Sequence, residues 1–187
     1  DQIEPNAEKL IDVAFDKKGR ETLTFEYSGQ KMPVTEVSVD YTLTEGTGTV
    51  TAEDVTSYSY LATAAGAVSA PVNFQVYEDT LENATITFKY DPSLLGETDE
   101  NALKIAWYDE KNKEVVLLEH SVVNAEDNTI SVTTDHFSQY IVIDTNEWYE
   151  MWAIEQLVIR DSEGNQTPYY NVIFALDGSG SMEGTKE

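Results

Sequence analysis

Glu36-Val37-Ser38-Val39-Asp40-Tyr41-Thr42-Leu43 carries an apolar residue at every second position. Successive side chains of a strand point to opposite faces, so this spacing makes one apolar and one polar face, and a period of two is not that of an amphipathic helix. The same alternation runs through Thr22-Leu23-Thr24-Phe25-Glu26-Tyr27 and Pro71-Val72-Asn73-Phe74-Gln75-Val76-Tyr77. Further strands are predicted over Ala84 to Tyr90, Leu103 to Tyr108, Glu114 to Leu118, Thr129 to Thr133 and Phe137 to Ile143. Asp109-Glu110-Lys111-Asn112-Lys113 and Glu126-Asp127-Asn128 lie between strands and have the composition of hairpin loops. Strands with one solvated face belong to antiparallel sheets, and two such sheets bury their apolar faces against each other, so the expected fold is mainly β, an antiparallel β-sandwich.

The alternation weakens from Gly46 to Gly66, a stretch rich in Thr, Ser, Ala and Gly. Thr49-Val50-Thr51 and Tyr58 to Leu61 read there equally as short strands or as loop. A break at 46–66 would allow two sub-modules. Ala67-Val68-Ser69-Ala70-Pro71 suits an edge strand, because proline cannot donate to a ladder.

The period changes after Asp144. Trp148, Met151, Trp152 and Glu155 to Leu157 fall at three- and four-residue spacings, which predicts a helix from about Asn146 to Val158, capped by Thr145 or Asn146. Asp161-Ser162-Glu163-Gly164-Asn165-Gln166 is a polar linker. Val172-Ile173-Phe174-Ala175-Leu176 is then apolar without interruption, as a strand covered on both faces of an α/β sheet would be. The predicted organisation is a β-sandwich over 1–144, a helical linker over 145–166 and the start of a different domain over 167–187.

Composition limits what the chain can do. Its 187 residues include 35 Asp and Glu against 11 Lys and Arg, a formal charge of −24. Such a chain repels a phosphate backbone and has no basic cluster to displace counterions, so no nucleic-acid partner is expected. Hydrophobic residues make up 41% of it and Tyr occurs 11 times, too much apolar material for a disordered acidic tail. No apolar run is long enough to span a bilayer, so no membrane insertion is expected of this segment. Cysteine is absent, which excludes disulfides and thiolate chemistry; this is compatible with cytosol and, combined with the acidity and the many Tyr, Thr and Asn, also fits surface proteins of bacteria that do not rely on disulfides. Asp1-Gln2-Ile3-Glu4-Pro5 lacks the basic start of a signal peptide, so a secretory signal would lie upstream.

Directly after the continuously apolar strand comes Asp177-Gly178-Ser179-Gly180-Ser181-Met182. A carboxylate and two hydroxyls at alternate positions of a glycine-rich turn can converge on one point, and hard oxygen donors of this kind suit Mg²⁺. Open α/β sheets also bind their ligands outside the carboxyl ends of the strands. Val172 to Met182 resembles the opening of a von Willebrand factor A domain, whose first strand leads into the Asp-x-Ser-x-Ser core of a metal-ion-dependent adhesion site. The resemblance implies that Asp177 contacts the metal through water, that Ser179 and Ser181 bind it directly, and that the site recognises an acidic group on a protein or matrix partner. The family's remaining ligands, a Thr and a second Asp, come from later loops, and ten positions follow Asp177. The implied role is an extracellular or cell-surface one, with the sandwich supporting or presenting the adhesive domain.

A second motif, His136-Phe137-Ser138, sits at the start of the last predicted strand. In an N-to-O acyl shift a serine hydroxyl attacks the carbonyl before it while a nearby base takes the proton, and water then hydrolyses the ester. Here Ser138 would be the nucleophile, Phe137–Ser138 the scissile bond, His136 the base and Asp135 the group orienting its ring. The tripeptide resembles the self-processing domains of inflammasome receptors and autoproteolytic death-domain proteins, and the cleavage point of a nucleoporin. It is also similar to a common ending of bacterial β-sandwich modules that precede von Willebrand A domains, where His136 would bond a turn and Phe137 would fill the core. His120 has no evident partner. The acidic pairs Glu78-Asp79, Asp99-Glu100 and Glu126-Asp127 read as solvated turns, since no Asp-x-Asp-x-Asp-Gly loop is present.

Overall fold

A computed structural model describes residues 17–152 apart from positions 28 and 30. The elements within them are β1 (Lys18–Thr24), β2 (Val34–Leu43), β3 (Thr49–Asp54), β4 (Val72–Tyr77), β5 (Leu81–Tyr90), β6 (Leu103–Asp109), β7 (Glu114–Leu118), β8 (Val122–Asn124), β9 (Thr129–Thr134), β10 (Gln139–Asp144) and α1 (Thr145–Trp152). They form two five-stranded antiparallel sheets, ordered β1-β2-β5-β9-β8 and β3-β4-β10-β6-β7.

Alternation sets the register of the first sheet. Ala84, Ile86, Phe88 and Tyr90 of β5 are buried. Phe88 stands between Val37 of β2 and Ile130 of β9, and Ile86 between Val39 and Val132. A slip of one residue would turn all of these outward, so the pairing has one favourable solution. In the second sheet Val72 and Phe74 of β4, Tyr140 and Val142 of β10 and Leu103 and Ile105 of β6 face the same core. The sandwich predicted from the alternating runs is thus present as two packed antiparallel sheets.

β10 departs from simple alternation. Tyr140, Ile141, Val142 and Ile143 are all fully buried. Tyr140 and Val142 belong to the main core, while Ile141 and Ile143 join Leu61 and Ala106 in a second cluster on the other face of the sheet. The cover is the stretch in which the alternation weakened. Thr49 to Asp54 is a strand, but Tyr58 to Leu61 is neither strand nor plain loop, because Tyr60–Thr63 forms a 3-10 turn. Ser59 caps it, its hydroxyl accepting from Leu61 N at 3.1 Å, and Leu61 is buried against β10.

Ala67 to Pro71 is not an edge strand. Val68 N donates to Val142 O at 3.0 Å, and Val34 N donates to Val68 O at 3.1 Å, so the segment ties β2 of one sheet to β10 of the other. Regular pairing of β4 with β10 stops at Val72, next to Pro71 with its missing N–H. The Ser69 hydroxyl takes the place of a ladder carbonyl and accepts from Val142 N at 2.9 Å. The cap of α1 also differs from expectation: Asp144 Oδ1 accepts from Asn146 N at 2.9 Å, while the Thr145 hydroxyl donates to Ala102 O at 2.8 Å. Trp148 packs on the second cluster. The predicted helix beyond 152, the linker 161–166 and the apolar strand 172–176 lie outside the described residues.

Asp79 organises the crossing from β2 to β3. Its carboxylate accepts from the backbone N–H groups of Glu45, Thr47, Gly48 and Thr80. Partial desolvation pushes its pKa up, but these four bonds outweigh it and lower the group from 3.8 to about 2. A methyl group on Gly48 would collide with Asp79 Cβ and come within 2.7 Å of Tyr77 O, so only glycine fits the clamp.

Two outcomes follow from these contacts. Ser69→Ala leaves the buried Val142 N–H without a partner and should lower the unfolding free energy by about 1–3 kcal/mol in urea titrations. Because the folded pKa of Asp79 lies below its unfolded value, its contribution is complete above about pH 4 and is lost as pH falls towards 2. Asp79→Asn should therefore reduce the melting temperature at pH 7 and flatten its decline between pH 4 and pH 2, as read by circular dichroism.

Candidate functional site

The corner between β9 and β10 holds His136, Phe137 and Ser138. Thr134 is its hub. The Thr134 hydroxyl donates to His136 O at 3.1 Å, while His136 N approaches it at 3.3 Å and His136 Nδ1 at 3.2 Å. The Tyr140 hydroxyl donates to the same His136 carbonyl at 2.8 Å. Burial raises the Tyr140 pKa, the Thr134 hydrogen bond lowers it and the Asp135 charge raises it, with a net value of about 12, so the phenol stays protonated and remains a donor.

The His136 ring stands edge-on to Trp107 with ring centres 4.5 Å apart. Its Nδ1 lies 3.2 Å from Asp135 Oδ1, an exposed contact that contributes little to stability. Phe137 turns inward onto Phe74, centre to centre 5.7 Å, and joins the main core. Ser138 is held between neighbouring strands: its hydroxyl donates to Tyr108 O of β6 at 2.8 Å, and its carbonyl accepts from Phe74 N of β4 at 3.1 Å.

The fold thus brings Asp135 and His136 into contact and sets Ser138 two residues away, but no hydrogen bond joins the His136 ring to the Ser138 hydroxyl among the described residues. The proton that an acyl shift must move is directed at the Tyr108 carbonyl. Asp177, Ser179 and Ser181 lie outside the described residues. Among the described residues, no group of three or more His, Asp or Glu side chains is arranged to hold a metal ion.

His120 has a partner that sequence reasoning missed. Its Nε2 lies 3.3 Å from Thr133 O, and both histidines of the chain line one cleft of about 420 Å³ with Leu118 and Asp135. A 16-residue separation gave no sign of this, because β8 and β9 together return the chain to the same corner. A second cleft, of about 380 Å³, is lined by Asn73 of β4, Tyr108 of β6 and the corner residues His136, Phe137 and Ser138.

The acidic pairs are used in turns. Asp99 accepts from Asn101 N at 2.9 Å, capping the 3-10 turn Glu100–Ala102. Glu126 N and Asp127 N both donate to Asn124 Oδ1 in the β8–β9 hairpin, where Asn128 adopts a positive φ of 53°. Among the described residues, no helix is long and apolar enough to cross a membrane. No family model matches the chain, no curated protein matches it in sequence, and no solved structure matches it.

Proposed function

We propose that the chain is an extracellular β-sandwich module that supports and presents a metal-dependent, adhesive von Willebrand A domain in a bacterial surface protein. The observation that carries this reading is the way β10 leaves the sandwich. The strand is buried on both faces, and it runs into α1 with only the Asp144 cap between them. A chain that departs from the best-packed strand of a domain is anchored against displacement of whatever follows it. The His-Phe-Ser corner supports the same reading, since Phe137 fills the core and Ser138 ties β6 to β4.

On this reading Asp177, Ser179 and Ser181 supply hard oxygen ligands for Mg²⁺, and the metal in turn takes an acidic group of a protein or matrix partner. In a chain extended beyond Glu187, binding to immobilised matrix proteins should require Mg²⁺, vanish with chelator and be abolished by Asp177→Ala. Mg²⁺-dependent binding that survives the substitution would remove the reading.

A second reading, self-cleavage between Phe137 and Ser138, is favoured by one observation: Asp135 Oδ1 lies 3.2 Å from His136 Nδ1, placed to orient that ring as a base. The Ser138 hydroxyl would leave Tyr108 O, attack the Phe137 carbonyl carbon and pass its proton to His136. The C–N bond would break as the ester formed, with the Ser138 amine taking the proton, and water would then hydrolyse the ester to free a carboxylate at Phe137 and restore the Ser138 hydroxyl. The bond from Ser138 to Tyr108 O opposes that motion, so the presenting module is expected to stay intact. Denaturing mass spectrometry after long incubation should show a single species of 20.9 kDa. Fragments ending at Phe137, absent from Ser138→Ala, would establish the cleavage instead.

A further inference from the structure

We infer that the outer face of the second sheet carries a binding site for a neutral glycan, centred on Tyr60 and Tyr108 and on the cleft that Tyr108 shares with Asn73 and Glu110. Tyr108 lines this cleft and carries the ring of Tyr60 on its own, with centres 5.6 Å apart and planes inclined by 34°. Tyr60 is 75% exposed although its neighbour Leu61 is fully buried. Its backbone is fixed from both sides: the Ser59 hydroxyl, which caps the turn, donates to Gln139 Oε1 at 2.6 Å, and the Thr63 hydroxyl donates to Tyr60 O at 3.1 Å. An aromatic ring displayed on so rigid a base can take a flat apolar ligand face with little further loss of conformational freedom.

The polar lining selects the ligand class. Among the described residues, no protein group hydrogen-bonds the Asn73 amide, the Glu110 carboxylate or the Tyr60 and Tyr108 hydroxyls, while Gln75 Oε1 accepts from the Tyr77 hydroxyl. The Glu110 carboxylate only accepts hydrogen bonds, whereas the Asn73 amide and the tyrosine hydroxyls both donate and accept, so the lining matches a ligand whose groups donate and accept at once, as sugar hydroxyls do. A proline-rich peptide offers carbonyl acceptors and almost no donors, which leaves the Glu110 carboxylate unmatched. An anion is repelled by a chain of charge −24.

A cation is disfavoured locally. The Asp109 carboxylate is already occupied by Lys111 N, Asn112 N and Asn112 Nδ2, and the Lys111 side chain in the lining offsets Glu110. A sugar ring meets both demands at once. Its C–H face stacks on the exposed ring of Tyr60, which Tyr108 supports from behind, and its hydroxyls donate to Glu110 and exchange hydrogen bonds with Asn73.

Native gel electrophoresis of the full chain through soluble hydroxyethylcellulose, xylan, glucomannan and starch tests the site. Retardation is expected with at least one of them, changing little between roughly 50 and 500 mM NaCl because no ionic contact is involved. Tyr60→Ala and Asn73→Ala should each weaken it by about tenfold or more, with unchanged circular-dichroism melts. Tyr149→Ala, which removes an exposed tyrosine from α1, should have no effect. Absence of retardation by all four polysaccharides, an equal loss in Tyr149→Ala, full retention in Tyr60→Ala, or Tyr60-dependent binding of decaproline in place of a polysaccharide would each overturn the assignment.

Discussion

The burial of β10 on both faces is the constraint to which much of the remaining structure answers. Four consecutive apolar side chains, Tyr140 to Ile143, cannot be satisfied by a sandwich interior alone, because two of them point away from it. The outer pair therefore needs a second cover, and the chain provides one with the turn that buries Leu61. Holding that cover in place takes backbone bonds as well as packing. The Gly66 to Ala70 segment delivers them, with Asp144 N donating to Gly66 O at 2.7 Å and Val68 and Ser69 bonding both polar groups of Val142. An apolar strand thus dictates the conformation of a polar, glycine-containing connection some eighty residues earlier.

The acidity of the chain has a similarly divided meaning. As bulk charge it repels polyanions and discourages association along sheet edges. Locally, many of the carboxylates are structural acceptors at turns. Asp54 accepts from Thr56, Asp91 from Ser93, Asp99 from Asn101, Asp109 from Lys111 and Asn112, and Asp79 from four backbone groups. Hydrogen bonding to the charged form lowers the pKa of Asp79, Asp91 and Asp109, so these side chains stay ionised while doing the work of caps. An acidic composition and tightly turned loops are in this protein two aspects of the same residues.

The corner at His136 shows how far a short motif can be read. That Phe137 would face inward and that a strand would follow was legible, since Phe137 is the last large apolar residue before β10. The engagement of the Ser138 hydroxyl by Tyr108 O was not, because it depends on β6 lying beside β10, a pairing of segments about thirty residues apart. The contact of His120 with Thr133 and the tilted ring contact of Tyr60 with Tyr108 were hidden for the same reason. Each joins residues whose separation along the chain carries no periodic signal.

Alternation in Glu36 to Leu43, Ala84 to Tyr90 and Thr129 to Thr133 by itself determined that the chain forms antiparallel strands with one buried face, because a period of two leaves no other way to segregate the side chains. The turn residues placed the hairpins at 109–113 and 126–128 by the same local logic. Which strands become neighbours, which loop covers β10, and which hydroxyl stands in for a missing ladder carbonyl were decided only by the tertiary structure. Those outcomes rest on pairing energies between distant segments and on the requirement that every buried N–H, Val142 among them, find an acceptor.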